Sequence, residues 1–195
     1  PTPGKPVHRA WDIGVRDDTS IWWFQVVGTQ IYIIDYYTAS GVGVDHYAEV
    51  VHGKPYMPGF DFVPHDAKQR VWAVSGAPQR LEAMIAHGLN PRLVADAGKM
   101  DGIQAARSTL GRCIFHPRTE SVGMAALEQY RREWDDEKKA FRASAVHDWT
   151  SHPADAFRYL SMSWRAAPLR EIKVPAPTGW RIPPPDEPRR GGIRL

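Results

Sequence analysis

Two strongly β-forming runs lie only two residues apart near the start of the chain. The first is Thr19–Val27 and the second is Gln30–Thr38, and both are rich in β-branched and aromatic side chains. The pair Gly28-Thr29 between them is typical of a tight hairpin turn. An earlier run, Val7–Gly14, is also predicted as a strand. These three runs together predict an antiparallel meander.

The rest of the chain alternates between helical and extended patterns. The predicted helices are Val44–His52, Gln79–His87, Met100–Leu110, Thr119–Arg132 and a last helix that Thr150 or Ser151 would cap and that ends at about Arg165. The predicted strands are Phe60–Pro64, Pro91–Asp96 and Arg112–His116. The segment Glu133–Ser144 is predicted as a polar hairpin. This order predicts an α/β fold with a mixed central sheet, antiparallel strands 1–3 plus parallel strands, flanked by helices. It matches the ribonuclease H-like fold.

The charge of the chain is concentrated at its C-terminal end. Lys and Arg number 25 against 22 Asp and Glu, a net charge of +3, and residues 168–195 carry all of this excess together with seven of the 17 prolines. Such a segment cannot build a core, so we predict a Pro/Arg-rich tail, extended or disordered, after a domain of residues 1–167. The domain is formally neutral, and nucleic-acid binding would therefore need a local basic surface.

Composition and missing motifs exclude several classes of protein. With 43% hydrophobic and 24% charged residues, the chain is not collagen-like, a coiled coil or wholly disordered. No apolar run approaches the length of a membrane span. The single cysteine, Cys113, cannot form an internal disulfide, which favours an intracellular setting. The phosphate-loop pattern GxxxxGK[ST] is missing, so no ATP site is expected, and the eight histidines follow no zinc-binding pattern.

Three aspartates stand at the ends of predicted elements. Asp12 interrupts an apolar strand, Asp66 follows the fourth strand, and Asp155 lies in the first turns of the last helix. If strands one and four are neighbours and the last helix packs across them, the three carboxylates converge. Close carboxylates repel one another unless a cation lies between them, and oxygen ligands suit Mg²⁺ or Mn²⁺.

Each aspartate also has an ordinary structural explanation. Asp12 could bond to amides of the following turn, Asp66 could cap the segment after it, and Asp155 could favour a helix N-terminus through the helix dipole. The spacing of the three residues along the chain leaves these explanations open.

Three stretches resemble the nuclease domain of tailed-phage terminase large subunits, a ribonuclease H-like family. The first is Trp11-Asp12-Ile13-Gly14 with the following Asp17–Trp22, which resembles the family's first strand and hairpin. Pro64–Ala67 resembles its second acidic motif, and His147–Tyr159 resembles its last. The similarity covers roughly residues 7–165.

This resemblance implies a metal-dependent DNA endonuclease that cuts concatemeric viral DNA during genome packaging. Asp12, Asp66 and Asp155 would coordinate two Mg²⁺ or Mn²⁺ ions, with Asp148 and Asp17 as accessory acids. The implied partners are double-stranded DNA, the ATPase domain that this chain lacks, the small terminase subunit and the portal. The implied location is the cytoplasm of the bacterial host, with no membrane contact.

Phosphate contacts are expected from basic residues near these motifs. The candidates are Arg16, Lys68, Arg70, Arg80 and Lys99, together with Lys138, Lys139 and Arg142 of the predicted hairpin. His152 could orient water or contact phosphate, but a surface histidine in the first helical turn is the favoured interpretation.

Two other functions stay open at the level of sequence. One is a cellular ribonuclease H-like nuclease or junction resolvase that uses the same metals. The other is a non-catalytic module in which the basic tail docks onto the portal or another capsid component.

Overall fold

The structure of the chain is a computed structural model that describes residues 1–14, 17–68 and 80–165. Arg16, Arg70 and the predicted tail at 168–195 therefore lie outside the described residues. For Asp66 and Lys68 the description covers the backbone but not the side chains.

A six-stranded mixed sheet forms the centre of the molecule. Its strands are β1 (Val7–Asp12), β2 (Thr19–Val27), β3 (Gln30–Ala39), β4 (Pro58–Val63), β5 (Pro91–Leu93) and β6 (Cys113–Phe115). In the order β5-β4-β1-β2-β3-β6, the β1-β2-β3 meander is antiparallel, whereas β4 runs parallel to β1, β5 to β4 and β6 to β3. The predicted meander is confirmed, and β1 and β4 are neighbours, which is one of the conditions for the three aspartates to converge.

Helices and one small hairpin surround this sheet. The α-helices are α1 (Val44–His52), α2 (Arg80–Ala86), α3 (Lys99–Leu110), α4 (Ala125–Gln129) and α5 (Ser151–Ser163), and the hairpin consists of β7 (Arg132–Asp135) and β8 (Ala140–Ala145). Short 3₁₀ helices occupy His65–Lys68 and Pro117–Thr119. Within the described ranges, no helix has both the length and the apolar character that a membrane span requires.

Alternation along the strands divides the core into two layers. Trp11, Ile21 and Trp23 point to one face of the sheet, where they join a buried cluster with Tyr47 of α1 and Met84 of α2. A second cluster contains Trp22, Phe24 and Ala10 together with Phe157 and Leu160 of α5. Each such large side chain contributes about 1.5–3 kcal/mol when fully buried. Since successive strand residues point to opposite faces, Asp12 shares the α5 face with Ala10.

A buried ion pair ties the two central parallel strands together. Asp61 of β4 is fully buried and accepts hydrogen bonds from the Arg9 guanidinium (2.8 Å from Nη2), from Trp11 Nε1 (2.9 Å) and from the Asn90 amide (2.7 Å). Because both of its oxygens are engaged, this carboxylate has a structural role in aligning β1, β4 and the segment that leads into β5.

The helix predicted over Thr119–Arg132 is wrong as a single element. A 3₁₀ turn leads into a π-helical stretch at Glu120–Met124, and only Ala125–Gln129 is α-helical. The π-helical stretch passes close to the sheet at Gly123, where a Cβ atom would lie 2.9 Å from the Tyr36 ring. The strand predicted over Pro91–Asp96 ends earlier, at Leu93.

Candidate active site

Asp12 ends β1 on the face of the sheet that α5 covers. It lies opposite Ser20 of β2, and its side chain is 17% exposed. Burial raises the pKa of the Asp12 carboxyl, and the nearby Asp155 carboxylate raises it further, whereas the hydrogen bond from His152 acts in the opposite direction. Asp12 and Asp155, which are 143 positions apart in the numbering, are therefore close enough to interact electrostatically.

Asp155 is presented by the first turns of α5. The indole of Trp22 donates to the Pro153 carbonyl oxygen (2.9 Å), and Phe157 packs into the core, so this end of the helix is fixed against β2. The Asp155 carboxylate lies 3.1 Å from Arg158 Nε and 3.7 Å from Lys99 Nζ. The cationic side chains of Arg158 and Lys99 thus balance part of the negative charge of Asp155.

Asp66 is placed by its backbone at the same edge of the sheet. The parallel register pairs Ala10 with Phe62, which brings Asp12 level with Pro64. The 3₁₀ helix His65–Lys68 that carries Asp66 begins at the next residue. As the carboxyl ends of parallel strands are the usual location of ligands in open α/β sheets, this placement agrees with the predicted convergence.

His152 was predicted as a surface residue, and this interpretation is wrong. Its ring is 17% exposed, and Nδ1 lies 2.8 Å from Asp12 Oδ2, across the junction of α5 and β1. Because a carboxylate can only accept, Nδ1 carries the proton that is donated. This bond raises the pKa of His152 above its usual range, and the carboxylates of Asp17 and Asp18 also raise it.

The two predicted accessory acids have different surroundings. Asp148 stabilises the turn that leads into α5, since its Oδ1 accepts hydrogen bonds from the Thr150 amide (2.9 Å) and hydroxyl, which lower the pKa of Asp148. The Ser151 hydroxyl accepts from the Asp148 amide (3.1 Å). Thr150 is the N-cap residue of α5, as predicted, but its side chain makes no capping hydrogen bond. Asp17 is exposed and lies beside His147 and His152.

The donor chemistry at Asp12 and Asp155 fits a divalent cation. Both side chains offer hard oxygen ligands, which Mg²⁺ and Mn²⁺ prefer. Burial and the neighbouring Asp155 carboxylate both destabilise the ionised form of the Asp12 carboxyl. A cation between the two carboxylates would offset this destabilisation.

A groove of about 620 Å³ extends from Asp155 between α3, α5 and the hairpin. Its apolar floor includes Ile103, Leu127 and Phe157, and its basic residues are Lys99, Arg107, Arg131, Arg132 and Arg158. The phenol of Tyr130 also lines the groove, and burial, followed by the charge of Asp155, raises its pKa. The groove therefore has a local excess of positive charge in an otherwise neutral domain.

Those predicted phosphate-binding residues whose side chains the structure describes are scattered rather than clustered. Lys138 and Lys139 form the exposed tip of the hairpin. Arg142 is paired within the hairpin, 2.9 Å from Glu133 and 3.9 Å from Asp135. Arg80 is only 1% exposed and its Nη1 faces the Ile13 carbonyl oxygen, so its prediction as a surface contact is wrong.

The comparison with known proteins gives structural matches only. No family model and no curated protein sequence matches the chain. The large terminase of a thermophilic bacteriophage, in complex with ADP, aligns with a TM-score of 0.64 and 14% identity over 86% of this chain and 41% of its own. The nuclease domain of the P22 large terminase aligns with a TM-score of 0.60 and 19% identity over 82% of this chain and 81% of its own.

A third match is the nuclease domain of the bacteriophage SPP1 large terminase with bound Mn, with a TM-score of 0.58 and 18% identity over 80% of this chain and 85% of its own. This chain has the fold of a large-terminase nuclease domain. The chain spans 41% of the ADP-bound large terminase but more than four fifths of the P22 nuclease domain. The predicted ribonuclease H-like class is thereby confirmed.

Within this terminase nuclease fold, the sequence identified His152 as a candidate but not its contact with Asp12, and it did not identify Arg158. His152, Asp155 and Arg158 are spaced three residues apart on α5, a spacing that places side chains on one helix face. That spacing was available in the sequence and could have identified Arg158. The contact of Lys99 with Asp155 depends on the packing of α3 against α5, which no local pattern reveals.

Proposed function

We propose that this chain is the nuclease domain of a terminase large subunit and acts as a metal-dependent DNA endonuclease. The observation that supports this most is the junction of β1 and α5, where the largely buried Asp12 carboxyl lies close enough to Asp155 for the two charges to interact. A structural protein gains nothing from two close carboxylates at the end of a buried strand, whereas a nuclease needs them. The likeness in fold to the P22 and SPP1 nuclease domains agrees with this proposal.

Asp12, Asp66 and Asp155 would together hold two Mg²⁺ or Mn²⁺ ions. When bound, these ions lower the pKa of a water molecule and stabilise charge on the phosphate. In the net reaction, the water oxygen bonds to phosphorus as the bond to O3′ breaks, which yields a 3′-hydroxyl and a 5′-phosphate. The SPP1 nuclease domain was solved with bound Mn, which agrees with this choice of ion.

The residues around the aspartates would orient the carboxylates and exclude water. His152 fixes the Asp12 carboxyl through its 2.8 Å bond, and Arg158 holds Asp155 by a hydrogen bond from Nε to Oδ1 (3.1 Å). Because Arg158 is only 9% exposed, its role is to position Asp155 rather than to bind DNA. Lys99 is more than half exposed and can turn toward a phosphate while it stays near Asp155.

The groove beside Asp155 would receive the DNA backbone. Its exposed arginines, Arg107, Arg131 and Arg132, can neutralise phosphates, and its apolar lining strengthens these contacts by lowering the local dielectric. At the rim of the groove, the hairpin presents Lys138 and Lys139 together with an exposed aromatic pair, Trp134 and Phe141, whose rings are 5.1 Å apart. A hairpin of this kind can contact both the backbone and the bases.

The biological setting follows from the terminase assignment. The DNA would be concatemeric viral DNA in the cytoplasm of the bacterial host, with the small terminase subunit and the portal as partners. An ATPase domain would accompany this chain, because the chain spans only part of the large terminase that was solved with ADP.

Nicking of supercoiled plasmid in the presence of Mn²⁺ tests the proposal. Asp12→Ala, Asp66→Ala and Asp155→Ala should each lower the nicking rate by about 100-fold or more, since each removes a preorganised charged group. Asp45→Ala, at an exposed position in the first turn of α1, is the matched control and should keep full activity.

The same assay separates the alternatives. Preference for a four-way junction or an RNA–DNA hybrid over plain duplex would indicate a cellular resolvase or ribonuclease H instead. Full activity of any of the three aspartate variants would remove that residue from the centre. If the wild-type chain cleaves none of these substrates, the nuclease assignment is wrong.

A further inference from the structure

Two aromatic side chains of the hairpin are exposed to solvent. Trp134 of β7 lies directly across from Phe141 of β8, and the two rings pack edge to face with their centroids 5.1 Å apart. This contact stabilises the hairpin, yet Trp134 is still 46% exposed and Phe141 is 57% exposed. The indole Nε1 donates to Asp136 Oδ1 at 3.1 Å, which fixes the direction of the Trp134 ring. The pair therefore presents oriented ring surface that no other part of the described chain covers.

The apolar surface continues from the hairpin into the groove beside Asp155. Phe141 lines this groove, and α3 contributes Met100, Ile103 and Leu110 to the same lining. Met100 and Leu110 are also exposed. Phosphates and sugars alone would leave this apolar surface in contact with water, whereas the flat faces of nucleobases pack against aromatic side chains. The lining is therefore suited to bases as well as to the backbone of a nucleic acid.

Cationic side chains accompany this apolar surface. Arg107 is an exposed member of the groove lining, and Lys138 and Lys139 form the tip of the hairpin. Arg132 donates from Nη2 to the Phe141 carbonyl oxygen at 3.0 Å, so one guanidinium is held beside the exposed ring. Positive charge combined with exposed aromatic rings is typical of surfaces that bind single-stranded nucleic acid, because the phosphates need counter-charges and the bases need stacking partners.

The base of the hairpin is attached to the start of the helix that carries Asp155. The Val146 amide donates to the Arg131 carbonyl oxygen (3.0 Å), and Arg131 Nη1 lies 3.5 Å from Asp148, which precedes α5. Because Phe141 and Asp155 line the same groove, a DNA strand in the groove can contact the aromatic pair and the carboxylates at once.

Paired and unpaired DNA differ in the surface that they offer to these rings. Inside a duplex both faces of a base are covered by its neighbours, and removing the base from the stack costs free energy that is smallest for a mismatched or unpaired base. We propose that Trp134 and Phe141 stack on an unpaired nucleobase of the strand in the groove, so that the chain prefers DNA with unpaired nucleotides to fully paired duplex. This inference rests on the proposed function only in taking DNA as the ligand of the groove.

Binding of DNA to the full chain without added divalent ions, where metal-dependent cleavage cannot occur, tests the proposal. The probes are two duplexes of equal length, one fully paired and one with a central bubble of mismatches that contains 2-aminopurine. Anisotropy of a label at one DNA end measures the affinities, and quenching of 2-aminopurine reports stacking. The wild-type chain should bind the bubble about 10-fold more tightly and quench its 2-aminopurine, since base–aromatic stacking contributes this much per base.

Loss of the ring faces should remove this preference. Trp134→Leu and Phe141→Leu keep apolar side chains, and each should lower the affinity for the bubble by about 5-fold or more and weaken the quenching, with little change for the paired duplex. Phe141→Tyr, which keeps a ring, should bind like the wild type. Trp149→Leu removes an exposed tryptophan that does not line the groove, and it is the matched control.

Equal affinity of the wild-type chain for the two duplexes, or no binding to either, would overturn the proposal. An equal loss of affinity for both duplexes in Trp134→Leu and Phe141→Leu would overturn it as well, because the rings would then only support the hairpin. The result is independent of nicking. Preference for the bubble in a chain that cleaves no DNA would support stacking and contradict the nuclease assignment, and nicking without any preference would do the reverse.

Discussion

At the scale of single residues, buried carboxylates divide into structural and functional ones. Asp61 and Asp12 belong to neighbouring strands, and both lie largely out of solvent. Asp61 has arginine, indole and amide donors on its two oxygens, so it is electrostatically satisfied. Asp12 has one histidine partner and a second carboxylate nearby, which raises its pKa. This difference in partners marks Asp12 as the residue with capacity for a further ligand.

Substitution of Asp61 tests the structural half of this division. Asp61→Ala leaves the Arg9 guanidinium buried without its partner, so the free energy of unfolding should fall by about 3–5 kcal/mol. Urea unfolding followed by circular dichroism measures this change. The exposed Asp45→Ala should shift stability by about 0.5 kcal/mol at most. If Asp61→Ala lowered the free energy of unfolding as little as Asp45→Ala does, the Arg9–Asp61 ion pair would not hold β1 and β4 together.

Cys113 provides a test of the core from pH dependence. Burial raises the pKa of its thiol to about 12, and its S–H points to the Thr109 carbonyl oxygen at 3.4 Å. Since the thiolate is the reactive form, roughly one thiol in 10,000 is ionised at pH 8 in the folded chain, against roughly a quarter in an unfolded one.

Alkylation by iodoacetamide should therefore be slow in the native protein at pH 8 and fast in urea. The native rate should rise as the pH increases toward 12. Equal rates in the folded and unfolded chains at pH 8 would contradict the burial of this thiol.

At the scale of elements, α5 organises the site. It brings His152 to Asp12, presents Asp155 and Arg158 beside the groove, and packs Phe157 and Leu160 into the sheet. Asp148 fixes its N-terminal end. Because the core contacts and the functional side chains belong to the same thirteen-residue helix, packing positions the chemistry.

The basic groove next to α5 is tested by removal of one of its charges. Arg107 of α3 is exposed and lines the groove without a direct contact to Asp12 or Asp155. Arg107→Ala should weaken DNA binding to a similar extent for different sequences, and should reduce the slope of log affinity against log salt by about 1. Fluorescence anisotropy with a labelled duplex measures both quantities.

Arg92→Ala serves as the control for this experiment. Arg92 belongs to β5 and packs 4.7 Å over the Phe60 ring, and it is not one of the residues that line the groove. Its substitution should leave the salt dependence unchanged. An equal loss of binding in the two variants would mean that the groove is not the specific path of the DNA.

At the scale of the whole molecule, the antiparallel meander was predictable from the sequence, and the site was predictable only in outline. The meander followed from β-branched and aromatic runs with a tight turn at Gly28-Thr29, because these signals are local. The positions of Asp12, Asp66 and Asp155 at element ends followed from the same local patterns.

Contacts between distant segments could not be predicted. The bond of His152 to Asp12 joins residues 140 positions apart, and the burial of Arg80 depends on how α2 packs against the sheet. The interruption of the helix near Gly123 likewise depends on the Trp22 and Tyr36 rings beneath it. Such features arise from tertiary packing, which overrides local propensity.

Side chains from β1, α5 and the segment after β4 are proposed to hold divalent cations together. Diffraction from Mn²⁺-soaked crystals, recorded at an energy where manganese scatters anomalously, is the most direct test of this arrangement. We expect anomalous peaks in bonding contact with the carboxylates of Asp12 and Asp155, with Asp66 reaching the same centre. Mn²⁺ bound only elsewhere, with these carboxylates turned away from one another, would contradict it.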